Sequence, residues 1–395
     1  MARIPSKKSS PRAVRKSSPP AAVKPAPSKG LNVSARRVVS IDALRGFDMF
    51  WIMGGDLFFP ALFTLIGTSF SLSLSRQLEH SAWNGFTFYD LIFPLFLFIA
   101  GCSMPFALGR RLEKGEPKKS IYIHIIKRTV TLLFLGLIYN GLLNFNFPEM
   151  RYAGVLQRIA ICYFLASVIF INTKPRMQAI LSAVILLGYW AIMKLVPVPG
   201  FGAGVLTPEG NLAAFLDQRF LPGRFCCYTF GDNEGIISNL PAVVTALLGA
   251  LSGSWLKSGT GGMKKVLGLA AAGIASLGIA QLWNPVFPIN KLFWSSSYVL
   301  AAGGWSMLLL ALFYWIIDVR GWRVWAFPFV VIGLNPITIY VVQGLFDFGI
   351  IANIFVHGFI RHTGAFEQPL WLLCILAVKW LFLYFLYRQK IFLKA

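Results

Sequence analysis

The chain has 395 residues, of which 56% are hydrophobic, 15% aromatic and only 13% charged, with a mean hydropathy of +0.65. A water-soluble protein carries about a quarter of its residues as charges, so this composition excludes a soluble globular fold and requires lipid exposure. The net charge of +22 is no nucleic-acid signature, because the Lys and Arg residues sit in a terminal tail and in short clusters between apolar runs, which is how topology is set in a membrane.

Residues 1–38 come first, with ten Lys/Arg, no acid and much Ser, Pro and Ala. They contain no apolar h-region and so are no signal peptide. A disordered basic cytoplasmic tail, able to touch anionic headgroups, is expected there. Apolar runs long enough to span a bilayer, about 20 residues each, then recur to the end of the chain. They predict helices over 41–66, 86–108, 121–143, 153–173, 177–196, 237–256, 265–282, 295–317, 326–345 and 369–387. The predicted fold class is therefore all-α, a polytopic transmembrane bundle of about ten helices. With the amino terminus inside, the inner segments hold 25 Lys/Arg and the outer loops 6, so both termini are assigned to the cytoplasm. The outer segment 197–236 is the only sizeable soluble stretch and is too short for an independent domain. No internal repeat is visible, which weighs against an inverted-repeat transporter.

Cys102, Cys162 and Cys374 lie in apolar runs, where Cys acts as a small hydrophobe. Cys226 and Cys227 are adjacent in the outer segment, and neighbouring cysteines rarely bond because the ring is strained. His80, His124, His357 and His362 are scattered, so no metal site is expected.

Ionisable groups inside spans are costly and so mark candidate sites. Asp42, Arg45 and Asp48 repeat every three residues and share a face of the first helix. An internal ion pair near the inner surface explains Asp42 and Arg45 without any catalysis. Asp56 lies roughly 15–17 Å further along the axis by helical rise, beyond the Gly54–Gly55 pair and facing something polar. At the outer mouth of the second helix His80, Trp83, Asn84 and Asp90 fall within eleven residues. A lone interfacial His is usually only solvated; in this company it is a candidate general base.

The string Ile41-Asp42-Ala43-Leu44-Arg45-Gly46, followed by the stretch from His80 to Gly101, resembles the heparan-alpha-glucosaminide N-acetyltransferase family, its bacterial branch most nearly. Three further blocks carry the resemblance: Arg151 to Ala160, Asp232 to Ala242, and Pro288 to Lys291 with Trp294. Gly333-Leu334-Asn335-Pro336-Ile337 is a weaker echo. The resemblance implies that 39–390 form a transmembrane acyltransferase-like domain. It implies transfer of an acetyl group from cytosolic acetyl-CoA to the amine of a sugar on the far side, with the family's active histidine at His80. A family asparagine falls on Asp56, a departure, since Asn donates a hydrogen bond to a thioester carbonyl and an ionised Asp cannot.

The remaining candidates follow from that chemistry. Arg45, Arg110, Arg111, Lys127, Arg128 and Arg158 are the candidate partners of the CoA phosphates; for each, topology signalling or an internal ion pair is the plainer alternative. Asn84, the Trp83 indole N–H or Arg158 could stabilise an oxyanion. Trp83, Asp232, Glu234 and Trp294 are candidate acceptor contacts; Asp232 and Glu234 serve equally as a turn and helix cap, and Trp294 as part of an aromatic belt. His80 acts either as base for direct transfer or as a transient acetyl carrier. The competing functions are a secondary transporter using Asp48, Asp56 and Asp90, and a non-catalytic envelope scaffold. Membrane lipid and a sugar or glycan are the expected partners, nucleic acid is not, and self-association stays open. The expected location is a bacterial inner membrane, multi-pass.

Overall fold

A computed structural model describes residues 1–2 and 38–392. Residues 3–37 of the predicted tail lie outside the described residues. Most of the described residues are helical. In chain order the helices are α1 (Val39–Ile66), α2 (Ser69–Arg76), α3 (Tyr89–Glu113), α4 (Lys118–Tyr139), α5 (Val155–Asn172), α6 (Pro175–Leu195) and α7 (Leu212–Phe220). They continue as α8 (Asn239–Lys257), α9 (Gly262–Trp283), α10 (Ser296–Val319), α11 (Phe327–Leu334), α12 (Pro336–Leu345), α13 (Phe348–Ile360) and α14 (Gly364–Arg388). Among the described residues nine are long and apolar enough to cross a membrane, or ten if α11 and α12 count as one broken span. The protein is an integral, multi-pass membrane protein.

The sequence pattern and the structure differ at three places, each for a local reason. The first helix is not continuous: Trp51–Gly55 forms a π turn in which Gly54 adopts φ 132°, a backbone state open to glycine and strained for other residues. The predicted helix 326–345 bends by 72° at Asn335–Pro336, because Pro336 has no N–H to donate back along the helix. The second span starts at Tyr89, not 86, since Thr87 turns its N–H and hydroxyl onto Asp90 instead of continuing a helix. Three helices were not foreseen at all: α2, α7 and α13.

The bundle centre is α8 packed on α3. A Cβ placed on Gly249 would lie 1.9 Å from the Phe98 carbonyl oxygen, and one on Gly101 1.9 Å from that of Ala246. Only glycine lets the two backbones approach so closely, the small-residue packing that replaces hydrophobic drive between helices in lipid. Gly46 and Gly333 bring α1 against α11 in the same way.

One end of the bundle ties Ser40 to Asp318, through the Ser40 N–H at 3.1 Å, and Lys257 to Glu113 at 2.7 Å. The opposite end carries the polar loops. There 197–236 contains α7 and two short hairpins, β1 (Pro197–Val198) with β2 (Gly202–Ala203) and β3 (Cys227–Tyr228) with β4 (Gly231–Asp232). The described cysteines are all free thiols.

Candidate active site

The site forms where the segment before α3 folds against the loop between α9 and α10. Asn290 joins the two. Its Nδ2 donates to the Trp83 carbonyl at 2.8 Å and to Asn84 Oδ1 at 3.1 Å, and its Oδ1 accepts the N–H groups of Leu292 and Phe293. The Gly85 N–H donates to the Ile289 carbonyl at 2.9 Å. This clamp sets Lys291 beneath His80.

Asp90 is the hub and is wholly buried. Its Oδ2 accepts from the Ser81 hydroxyl at 2.8 Å, the Ser81 N–H at 3.2 Å, and the Thr87 N–H and hydroxyl at 3.2 and 3.1 Å. Its Oδ1 lies 2.9 Å from His80 Nδ1 and 3.5 Å from Lys291 Nζ. Tyr298 donates its hydroxyl to the Asp90 carbonyl at 2.8 Å. His80 keeps 53% of its side chain exposed, so its ring is anchored on one edge and accessible on the other.

Lys291 Nζ lies 3.0 Å from His80 Nδ1 and 3.3 Å from Nε2. Nδ1 has one lone pair or one proton, so it cannot donate to Asp90 and accept from Lys291 together. Asp90, an anion among four donors, takes the Nδ1–H; that leaves Nε2 as the basic nitrogen and the ammonium near it. Burial pulls Lys291 below the ordinary lysine range, opposed by the carboxylates of Asp90 and Glu234. On the other face of His80 lies the Tyr89 ring, 4.8 Å between centroids, and Tyr89 donates its hydroxyl to Asp56 Oδ2 at 2.6 Å. The polar partner expected for Asp56 is thus Tyr89. Asp48 is buried lower in α1, and neither carboxylate oxygen has a hydrogen-bond partner among the described residues.

A second cluster surrounds Arg151. Its Nε donates to Asp232 Oδ2 at 2.7 Å and its Nη2 to Asp232 Oδ1 at 2.5 Å, to Asn233 Oδ1 at 3.0 Å and to Glu234. Asp232 and Glu234 therefore hold a largely buried guanidinium; Asp232 also closes a turn, its Oδ1 accepting the Glu234 N–H at 2.9 Å, and neither caps α8, which begins after Ser238. Asp217, which accepts the Ile236 N–H at 2.8 Å and the Asp232 N–H at 3.2 Å, is pushed up to about 6 by burial.

The other candidates are placed as follows. Asn84 lends its carbonyl to Asn290. The Trp83 indole N–H is spent on the Leu206 carbonyl at 3.0 Å, which removes it as an oxyanion donor. Trp294 is 1% exposed, packed between Phe93, Tyr298 and the Arg158 guanidinium, with no face left for a sugar. Arg158 itself is wholly buried and donates to Ser238; it pairs with neither Asp56 nor Asp90, and its Nε and Nη1 have no partner among the described residues. It belongs to the first turn of α5, at the same end as the Arg151 cluster, away from the basic helix ends. Arg45 is bound to Asp42 at 3.2 Å, Ser103 at 2.6 Å and the Gly333 carbonyl at 3.3 Å, a joint between α1, α3 and α11. At that basic end Arg111 pairs with Glu116 at 3.3 Å, Arg128 lies 4.4 Å over the Tyr163 ring, Lys127 is exposed and Arg110 half-buried.

Lys291, Tyr89 and Lys379 were not singled out from sequence. Tyr89 adjoins Asp90 and was within the motif. Lys291 was visible only as an outer-loop charge inside a family block. Lys379 lies within an apolar run, where its charge alone was the available signal.

Fold and site define a polytopic membrane protein with a carboxylate–imidazole–ammonium group at one end of a helix bundle. The chain belongs to the heparan-alpha-glucosaminide N-acetyltransferase family: the family described as "Heparan-alpha-glucosaminide N-acetyltransferase, catalytic" matches residues 37–282. The Homo sapiens heparan-alpha-glucosaminide N-acetyltransferase is 27% identical to it over 395 positions, covering 85% of this chain and 58% of the human protein. The Mus musculus protein of the same name is 26% identical over 322 positions, covering 67% of this chain and 48% of its own length. The chain thus spans about half the length of these relatives. The matched region contains His80, Asp90, Asp56 and the Arg151 cluster; Lys291 lies just beyond it.

Proposed function

We propose that the protein is a membrane acetyltransferase, moving an acetyl group from cytosolic acetyl-CoA to an amine or hydroxyl of a sugar or glycan on the other side of a bacterial inner membrane. The observation that carries this is the half-exposed His80 ring held by buried Asp90. A histidine oriented through Nδ1 presents Nε2 to a reactant, the usual geometry of a general base.

In the direct route, Nε2 takes the proton of the acceptor N–H or O–H as that atom attacks the thioester carbonyl. The C–S bond breaks, and the imidazolium returns the proton to the departing CoA thiolate. Asp90 stabilises the transient imidazolium, and Lys291 offers its charge to the oxyanion. In the alternative route Nε2 attacks the thioester carbonyl first, the C–S bond breaks and CoA thiolate leaves; the acetyl-imidazole then passes its acetyl group to the acceptor, whose proton the released Nε2 takes. The CoA nucleotide is assigned to the basic end, with Arg110, Arg111, Lys127 and Arg128 as phosphate partners. Arg45 acts by joining helices, and Arg158 by its charge near the acceptor side.

Purified protein tests this directly. Acetyl-CoA is expected to bind saturably, and glucosamine to be N-acetylated. His80→Ala is expected to cut turnover by about 10²–10⁴-fold, the range for loss of a general base, with an unchanged melting temperature. Wild-type turnover in that variant removes His80 from the chemistry. The breaks in α1 and between α11 and α12 favour the transporter reading; its signature is solute uptake into vesicles without acetyl-CoA.

A further inference from the structure

The break in α1 creates a second polar site, deeper in the bundle than His80 and unused by the steps above. Lys379 reaches it from inside the α14 span. An ammonium has three N–H groups; two are spent here, on the Met53 carbonyl at 2.6 Å and Gln343 Oε1 at 3.1 Å. Gln343 Nε2 donates in turn to the Ile52 carbonyl at 3.2 Å. Both carbonyls belong to the π turn, where the regular hydrogen-bond ladder is interrupted. Lys379 makes no ion pair among the described residues; Asp56 and Asp347 act on it only through space. A cation in the hydrocarbon layer without a contact counter-charge is costly. Beyond these bonds the ammonium faces the Phe348 ring, 6.0 Å from its centroid, and its third N–H has no hydrogen-bond partner among the described residues.

These groups line a cavity of about 460 Å³, large enough for a sugar-sized head, whose walls include Gly54, Leu57, Phe346, Asp347 and Trp371. Its rim is apolar: Leu57, Leu345 and Phe346 are 59%, 50% and 66% exposed, and at this level exposure means contact with acyl chains. Met53 and Leu376 also wall a second, apolar cavity of about 430 Å³ bounded by Phe50, Phe58, Phe329 and Ala377. Gly54 and Leu57 on its wall flank Asp56 in α1, and Asp56 is tied through Tyr89 to the His80 ring.

We propose that these paired cavities are the berth of the acceptor, and that the acceptor is a membrane amphiphile. Its polar head lies against Lys379, with a hydroxyl oxygen accepting the remaining N–H. Its chain passes Leu376 into the apolar cavity. A water-soluble sugar has no use for that second cavity and would approach His80 from its exposed side. An amphiphile stays in the bilayer and enters past Leu57, Leu345 and Phe346. This rests on the acetyl-transfer reading and names its substrate class.

The test compares octyl β-D-glucosaminide with D-glucosamine, using full-length protein in nanodiscs, wild type and Ala377→Trp. Ala377 is exposed on the apolar cavity, so Trp fills that space without displacing core packing. The wild type is expected to show a KM for the octyl compound at least tenfold below that for glucosamine. Ala377→Trp should erase this advantage and leave kcat/KM for glucosamine unchanged. Equal KM values in the wild type, or a preference that survives Ala377→Trp, overturn the proposal. If neither compound is acetylated, acetyl transfer fails as the function, and native mass spectrometry decides the berth. Octyl glucosaminide retained by the wild type and lost in Ala377→Trp sustains it; bilayer phospholipid alone, retained by both, overturns it.

Discussion

His80, Asp90 and Lys291 show how burial and hydrogen bonding decide the role of a residue. Asp90 is ligated by four donors on one oxygen and faces the imidazole with the other. Asp56 is different, because its close side-chain partner is a donor, the Tyr89 hydroxyl. An asparagine carbonyl accepts that bond as well as a carboxylate does. Asp56→Asn is therefore expected to keep turnover within about threefold, while Asp56→Ala, which leaves the Tyr89 hydroxyl unpaired, loses about tenfold or more, an estimate from the 1–3 kcal/mol cost of an unsatisfied buried group. Steady-state kinetics of the two variants decide; equal losses would mean that the charge itself is needed.

His80, Asn84 and Asp90 were legible as a cluster because they are close in sequence. Lys291 was not, since a loop 211 residues away in the chain delivers it, and no periodicity encodes such a contact. The roles of Trp83 and Trp294 were unreadable for a related reason: whether an indole faces ligand or core depends on partners such as Leu206 and Arg158 that pattern cannot supply.

At the level of elements, apolar runs located the spans, and breaks within them were the part that escaped. Gly54 and Pro336 sit inside runs that stay apolar on average over a span's length, so composition reads them as continuous helix. The contact of α3 with α8 relies on glycine. Gly249→Leu forces a side chain into the Phe98 backbone and is expected to lower stability by about 1–3 kcal/mol or more, as overpacking does; thermal unfolding in detergent measures it, and an unchanged midpoint would mean that the helices separate freely. The loop 197–236 carries its own pH dependence. Asp217 has an ordinary value of 3.8 and is raised to about 6 by burial. The folded loop therefore binds a proton the unfolded chain has released, so its stabilisation is full below about pH 4 and lost as pH rises through about 6. Hydrogen exchange in the loop, corrected for intrinsic rates, should show less protection at about pH 8 than at about pH 5, with Asp217→Asn removing the difference. A wild-type loop equally protected at both would contradict this.

Across the whole molecule, the proposed chemistry uses both ends of the helix bundle. Basic residues crowd the helix ends where Ser40 meets Asp318, and His80 stands at the other end. CoA is a multiply charged anion that cannot cross lipid, so the proposed transfer requires the two substrates to arrive from opposite faces. Proteoliposomes with the protein in one orientation measure that directly. With labelled acetyl-CoA confined to the side of the basic helix ends and glucosamine to the His80 side, labelled N-acetylglucosamine should accumulate on the His80 side and vanish in His80→Ala. Product that forms only when both substrates share one compartment, or that persists at the wild-type rate in His80→Ala, would contradict the account.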